Sequence, residues 1–494
     1  MRGQTFWALV LAILSAYLTG VVEGNKTRPA TRPQSLKHHR NGLYYANYDT
    51  TYQASQLPVA DLSHVFYGFA SLSTDGTVSS SNAAVDTGAQ LDFAANMFSE
   101  ASQRGRQLLP FKRQIGFNVT NSTSSSSTMT STTTSSATPS PTASNNTVAS
   151  GAVGQLFSFK TQQRNLKIML SIGGGSADTA YTACASTEET RNNFAASAVQ
   201  MTMNFGMDGV DLDWEYPSNA TDAANYVSLL QTLRNAYDDF SFTNNIRYRF
   251  LISVAISAKS SNYNQFDIPG MDPYVDVWNL LAYDYSGAAS AVATHQSNVF
   301  PGGATTYAAS NVFASDVITY ADTDTALQFY IGQGIAPAKI QLGIPMYGRS
   351  FENTAGLGQP FSGVGPGGVR TDGTQGAGVW YYNQLPKAGA DELYDDVAQA
   401  AYSYDGTARE FITYDDVASV EYKASYLRRL GLGGAFFFEA RGDRTGDGSL
   451  VTTMQQALGA LDNSRNNLDY PTSQYSNIRD ASLALKKKAA RRRH

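Results

Sequence analysis

Asp208-Gly-Val-Asp-Leu-Asp-Trp-Glu-Tyr-Pro217 is the stretch on which the reading of this chain turns. Side chains alternate between the faces of a strand, so Asp211, Asp213 and Glu215 share one face while Val210, Leu212 and Trp214 share the other. Tyr216-Pro217 stops the strand, because proline cannot donate to a ladder. The apolar face packs on helices, so the three acids project into an enclosed interior and rise towards Glu215. Burying three like charges is costly unless at least one carboxyl is protonated and all are hydrogen-bonded. That arrangement raises the pKa of one carboxyl, as a general acid requires. No basic residue is interleaved, which argues against an ion-pair ladder facing solvent.

Working outward, the strand is one of eight short apolar segments: Leu43–Asn47, His64–Ala70, Lys167–Ile172, Gly209–Glu215, Phe250–Ile256, Val275–Tyr283, Ile340–Pro345 and Gly434–Phe438. Continuous apolar runs, rather than strict alternation, suit strands covered on both faces. Separated by stretches of helical periodicity, eight of them point to an α/β fold, a (β/α)8 TIM barrel with its site at the C-terminal strand ends. About eighty residues, rich in Gly and Tyr, lie between the seventh and eighth strands. That is too long for a simple crossover, and 352–423 is read as a small α+β subdomain inserted on the rim.

Hydrophobic residues make up 42% of the 494, aromatics 12% and charged residues 16%, enough to bury a large core. Six of the 36 basic residues lie in the last nine positions, leaving 30 against 41 acids in the rest of the chain. Such an acidic body argues against nucleic acid as partner. A single cysteine, Cys184, excludes an intrachain disulfide framework and a Cys-rich metal site. Arg2, the apolar run Phe6 to Leu18 and the small residues up to Gly24 read as a signal peptide over 1–24, too short for a membrane span. The protein is therefore expected to be secreted, extracellular or cell-wall associated, and monomeric. Between 118 and 150, 21 of 33 residues are Ser or Thr. This segment has nothing to bury and reads as a disordered, O-glycosylated insert, dividing a catalytic domain of 25–117 and 151–461. Residues 462–494 read as a C-terminal tail with a basic end.

The acid stretch also carries a resemblance. Asp208, Asp211, Asp213 and Glu215 complete the D-x-x-D-x-D-x-E signature of glycoside hydrolase family 18, the chitinases and their relatives. Ser171-Ile-Gly-Gly174 resembles the family's S-x-G-G, Tyr283-Asp284-Tyr285 its M-x-Y-D-Y, and Pro345-Met-Tyr-Gly-Arg-Ser-Phe351 its P-x-Y-G-R-x-F. The likeness runs from about Gly42 to Leu461, apart from the Ser/Thr tract. It implies a retaining, substrate-assisted chitinase acting on chitin or N-acetylglucosamine oligosaccharides, with no metal and no cofactor. Glu215 would be the general acid, Asp213 would hold the acetamido group, and Asp211 would share a proton with Asp213. Tyr283 would bond the acetamido carbonyl, while Asp284, Tyr347 and Arg349 would contact sugar. Tyr45, Phe69 and Trp380 sit where rings could stack on pyranose faces, with core packing an equal reading for Phe69.

Three positions depart from the family pattern: Leu281 for Met, Gly175 where an aromatic often follows S-x-G-G, and Phe438 for the eighth-strand Trp that floors the cleavage subsite. The aromatic losses keep a chitinase-like glycan-binding lectin in play, although Glu215 is present. An endo-β-N-acetylglucosaminidase acting on N-glycans is the other alternative, disfavoured by the long insertion before strand eight.

Overall fold

The computed structural model describes residues 38–88, 147–302, 321–368 and 376–483. The leader, the Ser/Thr tract up to residue 146 and the basic end lie outside the described residues.

The eight apolar segments form one closed barrel. Its strands are β1 (Arg40–Ala46), β2 (His64–Leu72) with a short antiparallel partner β3 (Val78–Ser80), β4 (Lys167–Gly173), β5 (Gly209–Asp213), β6 (Leu251–Ser257), β7 (Val277–Leu281) and β8 (Ile340–Pro345). A second sheet follows in sequence, made of β9 (Tyr347–Phe351), β10 (Val379–Tyr381), β11 (Asp391–Asp395), β12 (Ala400–Asp405) and β13 (Glu410–Tyr414). The last barrel strand is β14 (Gly434–Phe438). Pairing runs β1-β14-β8-β7-β6-β5-β4-β2 and closes through β1 and β2, every barrel pair being parallel. The second sheet is antiparallel in the order β10-β9-β13-β12-β11. Only Met346 separates β8 from β9, so the second sheet grows directly from the C-terminal end of a barrel strand.

Helices cover the outer wall, among them Gly151–Gln162, Asp178–Ser186, Glu188–Phe205, Ala220–Thr243, Thr323–Gly332 and Val417–Leu430. Local sequence sets their ends. Thr187 accepts the Thr190 N–H at 3.2 Å to open one helix, and Gly206 closes it at φ 66°. A Cβ at Gly206 would lie 2.5 Å from the Phe157 ring, so both conformation and space require glycine. The core between strands and helices is aliphatic and aromatic, whereas the barrel interior gathers Tyr44, Phe66, Met169, Tyr283, Tyr347 and Phe436. Trp214 shows how the outer face is held. It is fully buried, stacked on Tyr181 at 5.4 Å and packed at 4.9 Å on Tyr226, both from covering helices.

The barrel does not end at Leu461. Residues 462–483, placed in a tail by the sequence reading, dock on the N-terminal end of the barrel. Asn466 donates to the carbonyls of Lys160, Gln163 and Leu166, and Tyr470 donates to the Met207 carbonyl at 2.7 Å. Beneath them Lys160 and Asp208 form an ion pair of 2.8 Å with both side chains wholly buried. Leu468, Tyr470, Tyr475 and Ile478 are buried in the core beside these polar anchors, and their irregular spacing leaves no periodic apolar pattern in the sequence.

Candidate functional site

Neighbouring strands build the site layer by layer. Register places Asp211 between Ser171 on β4 and Ser253 on β6, with Asn279 one strand further on β7. Asp211 is fully buried and accepts four hydrogen bonds: Tyr44 hydroxyl at 2.7 Å, Ser171 at 2.8 Å, Ser253 at 2.6 Å and Asn279 at 3.0 Å. Burial raises its pKa while the four donors pull it down. Donors from β1, β4, β6 and β7 thus converge on the two Asp211 oxygens.

One rung higher, Asp213 is 5% exposed and its Oδ1 is buried without a hydrogen-bond partner. Burial, then the charges of Glu215, Asp211 and Asp178, hold its carboxyl well above the usual range. Ladder pairing ends here, at Gly173 on one side and one residue earlier on the other. Glu215 therefore stands beyond the last rung, reaching the cleft. Burial raises it to about 7, opposed by a hydrogen bond from Tyr216 and helped by the charges of Asp284 and Asp178.

A cavity of about 550 Å³ opens over these two acids, lined also by Phe438, Phe69, Tyr48 and Gly175. Phe438 lies 5.5 Å from the Tyr44 ring and 6.4 Å from Tyr283 in a near-parallel arrangement. Tyr283 meets Tyr347 edge to face at 6.2 Å. Across Glu215, Asp284 receives Tyr347 hydroxyl and Arg349 Nε, both at 2.7 Å. Asp284 and Arg349 line a second concavity of about 1060 Å³. One assembly thus holds Glu215, Asp213, Asp211, Tyr283, Phe69, Phe438, Asp284, Tyr347 and Arg349.

Two candidates stand apart. Tyr45 points outward, packs on Tyr52 and Tyr67 and donates to the Tyr52 carbonyl, so a stacking role there is corrected: strand parity puts Tyr44 inside. Trp380 is half-buried on β10 under the Lys387 ammonium, 4.4 Å from its ring centre, and lines neither concavity. Three groups that hold Asp211 are not named by the sequence reading: Tyr44, Ser253 and Asn279. Alternation along Leu43–Asn47 contains the signal for Tyr44; the other two are visible only once the strands are set side by side.

A closed parallel barrel with a graded column of acids at its C-terminal mouth defines a barrel protein equipped for acid–base chemistry. The chain belongs to the glycosyl hydrolases family 18, whose model matches residues 40–443. It is 36% identical over 442 residues to Chitinase 1 of Aphanocladium album, covering 89% of this chain and 90% of that protein. It is 37% identical over 461 residues to Endochitinase 1 of Metarhizium robertsii, covering 91% and 94%. In fold it is similar to a solved Group IV chitinase of Ostrinia furnacalis, with a TM-score of 0.63 at 21% identity over 85% of this chain and 98% of that one.

Proposed function

We propose that the protein is a secreted chitinase that hydrolyses β-1,4 bonds between N-acetylglucosamine units, with retention and with the substrate's own acetamido group as nucleophile. The observation that carries this reading is the pairing of Glu215, raised to about 7, with an Asp213 oxygen that is buried and unpartnered in the same cavity. Glu215 holds a proton near neutral pH and passes it to the glycosidic oxygen as the bond to the anomeric carbon breaks. The acetamido carbonyl oxygen forms the new bond to that carbon. Its N–H satisfies Asp213, and the positive charge developing on the ring favours the ionised form of a carboxyl that burial otherwise keeps protonated. Water then attacks the anomeric carbon as its bond to the acetamido oxygen breaks, giving a proton to Glu215 and restoring the acetamido group, so the product retains its configuration.

The other residues orient. Asp211, held by four donors, keeps β5 in place beneath Asp213. Tyr283 bonds the acetamido carbonyl, Phe438 floors the cleaved sugar, Phe69 extends the apolar wall, and Asp284, Tyr347 and Arg349 contact sugar on the far side. The domain plan and export through the 1–24 leader belong to the same proposal. Digestion of soluble N-acetylglucosamine oligomers, with product lengths and anomers separated, tests it. Retained β-anomers are expected; tight binding without products would favour the lectin reading, to which Phe438 and Gly175 lend weight.

A further inference from the structure

Phe69 lines the cavity that holds Asp213 and Glu215, yet the barrel ladder does not hold its backbone. Pairing of β2 with β1 ends at Gly68, and pairing with β4 breaks between Tyr67 and Ala70. At this break the first residue beyond β1 takes over. Asn47, 3% exposed, accepts the Phe69 N–H on Oδ1 at 3.0 Å, and its own N–H donates to the Gly68 carbonyl at 2.7 Å. The Ser81 hydroxyl donates to the Phe69 carbonyl. Both polar groups of the Phe69 backbone are thus met by side chains.

Only the oxygen end of the Asn47 amide can accept that N–H, so the amide must face one way. What selects the orientation lies on its other side. Asn47 Nδ2 donates to Asp86 Oδ1 at 3.1 Å. With the amide turned over, the carboxyl would face an oxygen and the Phe69 N–H would face an amino group. Asp86 is 1% exposed and also accepts the hydroxyls of Tyr67 and Ser80. These donors come from separate segments and fix the carboxyl in turn, because losing it would leave buried polar groups unpaired.

Resting on the reading of this cavity as the sugar site, we infer that Asn47 and Asp86 are positioning residues for Phe69: Asn47 fixes the backbone that carries the ring, and Asp86 fixes the orientation of the Asn47 amide. The need follows from the space around the ring. On one side stands the Tyr44 ring at 6.2 Å, and beside it Gly174 leaves room, since even an added Cβ there would meet Phe69 only at 3.6 Å. Freed of Asn47, the ring can shift and the wall loses its shape.

Kinetics on soluble N-acetylglucosamine oligomers test this. Asn47→Ala should raise KM by about five- to tenfold with kcat within about threefold of wild type, because a displaced wall weakens binding of substrate and transition state alike. Phe69→Ala should do the same, and the double variant should exceed Phe69→Ala by no more than about twofold, since Asn47 acts through the ring. Asp86→Ala should raise KM as Asn47→Ala does, whereas Asp86→Asn keeps an oxygen for the Asn47 amide and should stay within about twofold of wild type. An unmoved KM in Asn47→Ala overturns the proposal. So does a full second increase in the double variant, which would mean that Asn47 meets the sugar itself. An unmoved KM in Asp86→Ala, or an equal rise in Asp86→Asn, overturns the role given to Asp86. A merely structural residue would lower the amount of active enzyme, and with it the apparent kcat, while leaving KM where it was. Should Asn47→Ala not fold, Asn47→Ser, whose one hydroxyl cannot span Phe69 and Asp86, is read in the same way. Phe69→Ala keeps the two readings apart: an unmoved KM there defeats the sugar wall and the positioning with it, whereas a raised KM there beside an unmoved one in Asn47→Ala defeats the positioning alone.

Discussion

Exchanging Glu215 for Gln should remove activity and, at the same time, make the folded protein more stable at alkaline pH. Burial carries this carboxyl from 4.5 to about 7. At ~1.4 kcal/mol per pH unit, ionising it in place costs the folded state up to ~3 kcal/mol, an upper bound because Asp213 titrates with it. The folded pKa lies above the unfolded one, so the associated stability is complete below 4.5 and is lost as pH rises through 7. Glutamine carries no charge at either end of that window. Melting curves at pH 4 and pH 8 should therefore superpose for the two proteins at pH 4 and separate by several degrees at pH 8, the variant being the more stable. Oligomer hydrolysis should fall by ~10²-fold or more, since the amide keeps the shape but has no acidic proton to give. Activity within a few-fold of wild type refutes the acid assignment. Lost activity with no stability gain at pH 8 refutes the argument that burial loads the acid with its proton.

Deleting Thr120 to Ser144 should leave a folded, active barrel, because Ser150 Oγ lies 3.0 Å from the Thr87 carbonyl and Asn477 pins Ala149, so the chain leaves and re-enters the barrel at neighbouring points. Unfolding seen in the melting curve, or lost hydrolysis in the folded variant, would show that the segment is part of the enzyme. Phe438→Trp should raise the rate on short oligomers by enlarging the ring surface beside Asp213 and Glu215; a drop of about 1–3 kcal/mol in stability would instead reveal overpacking, and no change in either refutes contact with the cleaved sugar. Lys160→Met should destabilise by ~3–5 kcal/mol by leaving Asp208 buried without its cation. Limited proteolysis should then find residues 462–483 released first, and an unchanged melting temperature would argue against their anchoring role.

Barrel strands were legible because each is apolar on the outer face and short enough to be punctuated by turns. The acid column was legible because one alternating strand carries all of it. Strand limits were less so: Val275–Tyr283 shortens to Val277–Leu281, since the ladder to β8 ends at Leu280 while apolar composition continues past it. The Tyr44-Tyr45 pair shows the cost of naming a ring without applying parity, for only Tyr44 reaches Asp211. Groups contributed by other segments were out of reach of any reading along one strand. Asn279 reaches Asp211 from two strands away, and Asn466 reaches back about 300 positions to the Leu166 carbonyl.

Closure of the barrel also orders the events of biosynthesis. β1 is among the first described parts of the chain, yet one of its two neighbours is β14, and Asn41 donates to the carbonyl of Val451, 410 residues later. During elongation β1 and β2 can pair, but the open edge of β1 must wait for nearly the whole polypeptide to emerge. An unpaired parallel edge is a template for association with other chains. The nascent chain would thus depend on chaperones until its last eighth arrives, and truncation before Phe438 should yield aggregates rather than a smaller barrel.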